Sequence, residues 1–215
     1  MVKKDRPKFP DSYIGDQALD YDSSNWMERN QKITTYRSIE LLNDQNLGNF
    51  TDHDNNELLL LDLGCGSGFS TEVLLEEKYR VISIDILPDM LHYFREKKID
   101  NSLIILADIR ELPIRDNKID HIISVSSFNF IYEDLYDDTE KNRVLRRTSK
   151  AIRDIMRENG RIVIEFYPES ENDIKLLTKA FKSAGFDGFF VKDNPNKRKE
   201  QNYLVLKKEE QFGNL

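Results

Sequence analysis

From Glu57 the chain reads Glu-Leu-Leu-Leu-Leu-Asp-Leu-Gly-Cys-Gly-Ser-Gly, an apolar run that meets three glycines spaced two apart, Gly64, Gly66 and Gly68. A buried strand of a parallel sheet reads as a continuous apolar run. Glycines just past its carboxyl end let the backbone come close to a cofactor and start the next helix. The dinucleotide fingerprint G-x-G-x-x-G needs its third glycine where this chain has Phe69, which argues against a nicotinamide dinucleotide. A second apolar run, Arg80 to Ile84, ends in Asp85, from where a carboxylate can accept hydrogen bonds from both hydroxyls of a ribose. A third, Leu103 to Ala107, ends in Asp108 and Ile109. Any one of Asp62, Asp85 and Asp108 alone reads as a helix cap or a solvated loop residue. Three acids at three successive strand ends beside a glycine turn read as one cofactor site.

A second group of residues could act on an acceptor. Phe128-Asn129-Phe130 offers two aromatic faces and an amide able to read a base edge, and Phe166-Tyr167-Pro168 offers a further aromatic pair. Stacking plus an amide suits a flipped purine. Phe128 and Phe130 fit equally well as core residues at a strand end, whereas Asn129 between them is harder to explain as packing. His53, His92 and His121 are the only histidines and are scattered, which argues against a histidine-based catalytic pair or metal site. Cys65, the single cysteine, lies inside the glycine turn, so this chain alone builds no disulfide framework, thiolate zinc cluster or Cys-pair redox site.

The 215 residues suit one α/β domain with a core large enough to be stable alone. The net charge of −7, from 32 basic and 39 acidic residues, repels polyanions unless basic residues gather on one face or a partner supplies the charge. Two basic groups are candidates for RNA contact. Arg143, Arg146, Arg147, Lys150, Arg153 and Arg157 recur at helical spacing, where a solvated face with salt bridges to Glu140 and Asp154 is favoured over a phosphate track. The segment Lys192 to Lys199 lies among turn residues and is the stronger candidate. No run of about 18 apolar residues exists and the amino terminus lacks the apolar core of a secretion signal, so a soluble, cytoplasmic protein is expected.

Residues 1–30 carry no clean period but contain Tyr13, Tyr21 and Trp26, and read as an amino-terminal arm or lid; residues 31–215 read as the catalytic domain. A helix is predicted over Gln31 to Leu42 with Ile33, Tyr36, Ile39 and Leu42 on its inward face. Further helices are predicted over Phe69 to Glu77, from Pro88, over Thr139 to Arg157 with Asn159-Gly160 as its stop, and over Asn172 to Ala184. Strands are predicted over Ile119 to Val125, Arg161 to Phe166, Gly188 to Val191 and Tyr203 to Lys207. Regular alternation with a closing strand pair predicts a doubly wound α/β sheet covered by helices on both faces.

Asp62-x-Gly64-x-Gly66-x-Gly68 resembles motif I of the class I S-adenosylmethionine-dependent methyltransferases. Over nearly its whole length the chain resembles their small-subunit ribosomal RNA guanine-N7 family of eukaryotes and archaea. The resemblance rests on Asp62 to Gly68, on Asp85 to Leu91, on the Ser-rich strand end before Phe128-Asn129-Phe130, on Glu165 to Pro168, and on Val191 to Pro195 with Tyr203 to Leu206. The opening segment, with Tyr21, Ser24, Gln31, Thr35, Arg37, Glu40, Leu41 and Leu42, is similar too. The family carries Trp after its amide where this chain has Phe130, and a basic residue where it has Trp26. The short end at Leu215, without a long basic tail, fits an archaeal form.

The resemblance implies a Rossmann-like fold with a seven-stranded, mostly parallel sheet. It implies S-adenosylmethionine as cofactor, held by Asp62, Gly64, Cys65, Gly66, Ser67, Gly68, Asp85, Ile86, Asp108, Ile109 and Ser124, with the methionine moiety on the glycine turn and the adenine beside Asp108. Asn129, Phe130 and Tyr167 are the expected catalytic residues. Methyl transfer is an in-line displacement, and the N7 of guanine already offers a lone pair, so no base is required. Exocyclic-amine methyltransferases place Asn/Asp-Pro-Pro-Tyr/Phe where this chain has Ser124-Val125-Ser126-Ser127-Phe128-Asn129-Phe130, and pyrimidine C5 enzymes need a catalytic cysteine, so both classes are disfavoured. The family also implies a small zinc-binding activator protein, and small-subunit ribosomal RNA or its precursor as substrate. The run Leu103 to Ala107, apolar on both faces and at the sheet edge in the usual strand order, suits such a partner unless its own loops cover it. A methyltransferase of a small quinol-like metabolite and a ribosome assembly factor with little turnover are the alternatives.

Overall fold

The computed structural model describes residues 8–48, 54–195, 197 and 200–209. The apolar runs form strands β1 (Leu59–Leu63), β2 (Arg80–Asp85), β3 (Ser102–Leu106), β4 (Ile119–Val125), β5 (Met156–Phe166), β6 (Phe186–Asp193) and β7 (Gln201–Lys208). They make a seven-stranded sheet in the order β3-β2-β1-β4-β5-β7-β6, in which only β7 runs antiparallel to its neighbours. The chain leaves β1 toward β2 and β3 on one side and then returns to β4 on the other. The strand order therefore reverses at β1, and such a switch point opens a crevice at the carboxyl ends of the strands.

Among the described residues there are six α-helices, α1 (Asp16–Asp22), α2 (Asn25–Leu42), α3 (Phe69–Glu76), α4 (Pro88–Glu96), α5 (Asp138–Ile155) and α6 (Glu171–Ser183), of which α1 packs on α2 and α4 and the others cover the sheet. Alternation along the strands assigns them to faces. Leu60, Val81, Ile123 and Val163 pack with Leu41 and Leu42 of α2 and Val73 and Leu74 of α3. Leu61, Ile84, Ile122 and Ile164 pack on the other side with Ile152 of α5 and Leu177 and Phe181 of α6. Ile104 is level with Ser83, whose hydroxyl meets Thr71 of α3, and packs against Leu91 and Phe94, so α4 lies on the α3 face. The local signals that start these helices are side-chain caps. Ser24 accepts from Met27 N, Asp137 accepts from Thr139 N, Ser170 and Asp173 form a capping box, and Pro88 opens α4.

Three expectations need correction. Helix α2 starts at Asn25 rather than Gln31, and its inward face is Thr34, Thr35, Ser38, Ile39, Leu41 and Leu42, whereas Ile33 and Tyr36 are 52% and 42% exposed. The small hydroxyl residues bury at little cost because they bond to their own helix: Thr35 Oγ1 donates to Gln31 O at 2.8 Å and Ser38 Oγ to Thr34 O at 2.9 Å. Secondly, Asn159-Gly160 is not a helix stop. Helix α5 ends at Ile155 and runs directly into β5, whose bulge places Met156 opposite Ile119 but Arg161 opposite His121, with Asn159 at φ 63° absorbing the extra residues. Thirdly, Arg153 is not on the solvated row. It is buried and donates to Gly185 O, and to Glu209 O at 2.8 Å. The salt bridges expected on that row are present, Arg143 to Glu140 and Lys150 to Asp154, and two further members pair outside it, Arg147 with Glu111 and Arg157 with Asp120. His53 lies outside the described residues, and His121 is a buried acceptor for Arg161 N at 3.1 Å.

Arg161, 2% exposed, ties α2 to β5. Its guanidinium donates to Leu42 O at 2.8 Å, Asp44 O at 3.2 Å and Gly48 O at 2.7 Å, satisfying carbonyls that the end of α2 and the following turn leave without helical partners. Replacing it strands several buried acceptors at once. Arg161→Met is therefore expected to lower unfolding free energy by about 3 kcal/mol, read as a fall in the urea midpoint with unchanged slope.

Candidate active site

The site is built where β1, β2 and β4 end. Past Leu63 the chain turns back on β2: Gly64 N and Cys65 N both donate to Ile84 O, at 2.8 and 3.0 Å. Asp85 then closes the turn from the opposite side, its Oδ2 accepting from Gly66 N at 2.8 Å and its Oδ1 from Leu87 N at 2.9 Å. A carboxylate has about four acceptor sites, so Asp85 retains acceptor capacity for a ligand. Glycine is required at the first turn position for two reasons. Gly64 has φ 76°, and a Cβ there would stand 2.2 Å from Ser127 Oγ.

A cavity of about 400 Å³ lies over these strand ends, within the range of small-molecule sites. Gly64, Cys65, Gly66, Asp85, Ile86, Asp108 and Ile109 line one part of it, and Ser126, Asn129, Phe130 and Tyr167 another, so most of the expected site residues meet in one space. Asp62, Ser67, Gly68 and Ser124 lie behind the lining instead. Asp62 is fully buried and accepts from Ser70 Oγ at 2.7 Å and Thr71 Oγ1 at 2.6 Å, pinning the first turn of α3 to β1. Gly68 caps α3, Ser67 is buried, and Ser124 Oγ donates to Leu63 O at 3.0 Å. Asp62, Gly68 and Ser124 hold the frame.

The acceptor end differs from expectation in two side chains. Asn129 does not present its amide to a base edge. Its Nδ2 donates to Tyr167 O at 2.8 Å and to Tyr132 Oη at 3.3 Å, while its Oδ1 accepts from Tyr167 N at 2.9 Å. The amide thus locks the end of β5 to the short 3-10 turn Phe128–Ile131. Phe128 is a core residue, 0% exposed and packed on Phe181 with centroids 5.8 Å apart. Of that pair only Phe130 lines the cavity, joined by Tyr167, which is 41% exposed. Beneath them Glu165, 0% exposed, accepts from Ser126 N and Ser126 Oγ, both at 2.8 Å. These bonds hold Ser126 at φ 56°, a left-handed conformation costing a non-glycine residue roughly 1 kcal/mol.

The amino-terminal segment supplies residues that the motif reading did not assign. Phe9, Tyr13, Tyr21, Trp26, Met27, Asn30 and Gln31 all line the cavity. Aromatic contacts run across it: Tyr21 faces Phe69 at 6.1 Å, Tyr13 meets Tyr21 at 5.6 Å, and Tyr13 and Phe9 meet Phe130 at 5.5 and 4.8 Å. Tyr13, Tyr21 and Trp26 were the signal: three aromatics in a segment too polar to form a core need something to cover.

The charges fit a site that holds a cation or a donor-rich ligand. Burial pushes Asp85 up from the ordinary carboxylate range, although the N–H bonds of Leu87, Gly66 and Ile86 oppose the shift. Burial likewise raises Glu165 against its bonds to Ser126 and Tyr167, and raises the Cys65 thiol well above its usual value, which makes it a poor nucleophile. Asp108 goes the other way. Its burial is outweighed by the side-chain and backbone bonds of Arg110, with Arg110 Nη2 2.6 Å from its Oδ2. Both Asp108 oxygens are thereby engaged, so a ligand amino group there must share them. Among the described residues no group of His, Cys, Asp and Glu is arranged to hold a metal ion.

Sheet order, glycine turn and acidic strand end together define a class I, S-adenosylmethionine-dependent methyltransferase, and residues 61–164 match the family described as Methyltransferase domain. The resemblance to the small-subunit ribosomal RNA guanine-N7 enzymes extends over most of the chain. It is 28% identical over 200 residues, 92% of this chain and 71% of the relative, to the 18S rRNA (guanine-N(7))-methyltransferase of Schizosaccharomyces pombe. It is 30% identical over 196 residues, 90% of this chain and 65% of the relative, to that of Arabidopsis thaliana. The chain thus spans about two thirds of the length of these curated relatives. Among solved structures it is similar, at TM-score 0.57 and 16% identity over 90% of this chain and 98% of the other, to a chain in the complex of the Haloferax volcanii Trm112 methyltransferase activator with its methyltransferase.

Asp62 makes a pH test of the frame. Burial, only partly offset by Thr71 and Ser70 and reinforced by the nearby Asp85, pushes it up to about 6 from 3.8. An acid whose folded pKa is raised binds its proton more tightly when folded, so the stability it contributes is complete below pH 3.8 and is lost as pH rises to about 6. In urea titrations between pH 4 and 7, native protein should lose on the order of 2–3 kcal/mol relative to Asp62→Asn across that window, with a flat difference above it.

Proposed function

We propose that this chain methylates the N7 of a guanine in small-subunit ribosomal RNA or its precursor. The observation that carries the reading is one continuous cavity with a carboxylate suited to a ribose, Asp85, at one end and open aromatic rings, Phe130 and Tyr167, at the other. Among the described residues its lining includes no histidine. An acceptor atom that already has a lone pair, as guanine N7 does, needs none.

The residues fit the cofactor. A Cβ at Gly64 would fill the cradle, and Gly66, Cys65 and the Asp85 carboxylate line the cavity. S-Adenosylmethionine supplies an electrophilic methyl group on a sulfonium. In this reading Asp85 grips the ribose hydroxyls, Ile86 and Ile109 pack on the adenine, and the Asp108–Arg110 pair closes that end. Asp62, Ser67, Gly68 and Ser124 act as positioning residues for the turn. Phe130 and Tyr167 stack and orient the base, and Asn129 sets the position of Tyr167 through its backbone. Buried carboxylates around the cavity favour a cationic centre over a neutral one. The segment before Gln31 serves as the lid, its aromatic residues excluding water from the reacting atoms.

RNA affinity is shared. The β6–β7 loop leaves the sheet beside the end of β5, since Asn202 pairs with Phe166, and so stands on the same edge as the cavity with Lys192 and Lys197 to meet phosphates. A small zinc-binding activator adds a strand along β3. That strand is at the sheet edge, Leu103 and Leu106 are 55% and 54% exposed, and the Haloferax volcanii chain is found with an activator. No helix among the described residues is long and apolar enough to cross a membrane, and the cytoplasm is the proposed site of action.

The test is transfer of label from methyl-labelled cofactor to purified small ribosomal subunits or their precursors, with and without the activator. Label is expected in the small-subunit RNA as 7-methylguanosine, increased by the activator. Label found only in small molecules contradicts the reading.

A further inference from the structure

Phe130 opens on the cavity, yet one of its faces is already covered. The ring of Phe9 lies 4.8 Å away, centroid to centroid, with 18° between the planes, while Tyr13 meets Phe130 edge-on at 5.5 Å and 60°. The first is the offset stack that aromatic rings prefer, and a nucleobase adopts the same geometry on an aromatic side chain. A ring inserted between Phe9 and Phe130 would need two stacking distances of about 3.5 Å each, well beyond the separation present. Phe9 and a stacked acceptor are therefore mutually exclusive on this face.

The segment that carries Phe9 is built to leave. Among the described residues its backbone hydrogen bonds are internal: Ser12 N donates to Lys8 O at 2.8 Å and Tyr13 N to Pro10 O at 2.8 Å, while Lys8 N donates to Ser12 Oγ at 2.9 Å. The fixed point lies after it, at Gly15, whose N–H donates to Asp89 Oδ2 at 2.5 Å. Gly15 has φ 54° with nothing within 4 Å of where a Cβ would stand, which gives the segment a pivot.

We infer that the face of Phe130 covered by Phe9 is the subsite for the acceptor ring, and that a flat aromatic acceptor binds there by displacing Phe9. This rests on the proposed acceptor end of the cavity and specifies its ligand as a planar ring. Phe9 shields the open face when no acceptor is present. It also sets a threshold: an acceptor must gain more from Phe130 and its surroundings than Phe9 does, which disfavours loose mononucleotides relative to a base presented on an RNA.

The experiment is calorimetric titration of guanosine 5′-monophosphate, and separately of hydroquinone, into the full chain saturated with S-adenosylhomocysteine. Native, Phe9→Ala, Phe130→Ala and the double variant are compared, with thermal melts to establish folding. Phe9→Ala should bind guanosine monophosphate about 3- to 10-fold more tightly than native protein, and Phe130→Ala and the double variant should bind it equally weakly. Unchanged or weaker binding by Phe9→Ala, or no binding by native and Phe9→Ala alike, overturns the inference. A stronger response to hydroquinone than to the nucleotide, with the same dependence on Phe9, upholds the subsite and overturns the guanine reading instead.

Discussion

The site depends on one buried carboxylate bridging two backbone segments. Asp85 ends β2, and its two oxygens take the N–H groups of Gly66 and Leu87, so the glycine turn and the start of α4 are fixed relative to one another before any ligand arrives. Charge-assisted bonds of this kind are short and directional. Asp85 also lines the cavity, so in the proposed reading the group needed for structure is the one that binds. Ile84 O strengthens the same junction by accepting from Gly64 N and Cys65 N.

Around that junction the polar groups behind the lining convert sheet topology into site geometry. Asp62 joins β1 to α3 through Ser70 and Thr71, Ser124 and Ser127 join β4 to the end of β1 through Leu63 O, and Glu165 joins β5 to Ser126. Each link ties the end of one strand to a neighbouring element. Because the bonds are buried, each is costly to break. Ser126 illustrates the cost of this design, since its left-handed backbone is held by Glu165 alone among the described side-chain bonds to its N–H. The acceptor wall follows: Asn129 positions Tyr167, and Phe130 stands beside it.

The glycine turn and the acid that closes it were legible because their signals are local. An apolar run, glycines two apart and an acid at the next strand end are each set by a few consecutive residues, and Gly64, Gly66 and Asp85 meet as their spacing implied. The acceptor half was only partly legible, because its roles are decided by contacts distant in sequence. Whether Phe128 or Phe130 faces the cavity depends on Phe181, and whether Asn129 is free depends on Tyr167, 38 residues away. Helix α2 shows the same limit. Ile33 and Tyr36 fit an apolar stripe, but the sheet is met by Thr34, Thr35 and Ser38, whose small size permits close approach and whose hydroxyls have internal partners. The helix stop at Asn159-Gly160 failed similarly: a residue pair that usually ends a helix here makes a bulge, because β4 supplies a strand to pair with. At Phe9 the sequence shows only an aromatic residue near the amino terminus, and nothing local reveals its stack on Phe130.

The most direct test of the central claim is calorimetric titration of S-adenosylhomocysteine into native protein and Asp85→Asn, both shown to be folded by melting. Exchanging one carboxylate oxygen for an amide replaces an acceptor by a donor facing the N–H of Gly66 or Leu87, which should disrupt the turn and remove one ribose acceptor together. The account predicts affinity at least about 30-fold weaker for the variant, roughly 2 kcal/mol. Affinity equal to that of native protein would contradict it.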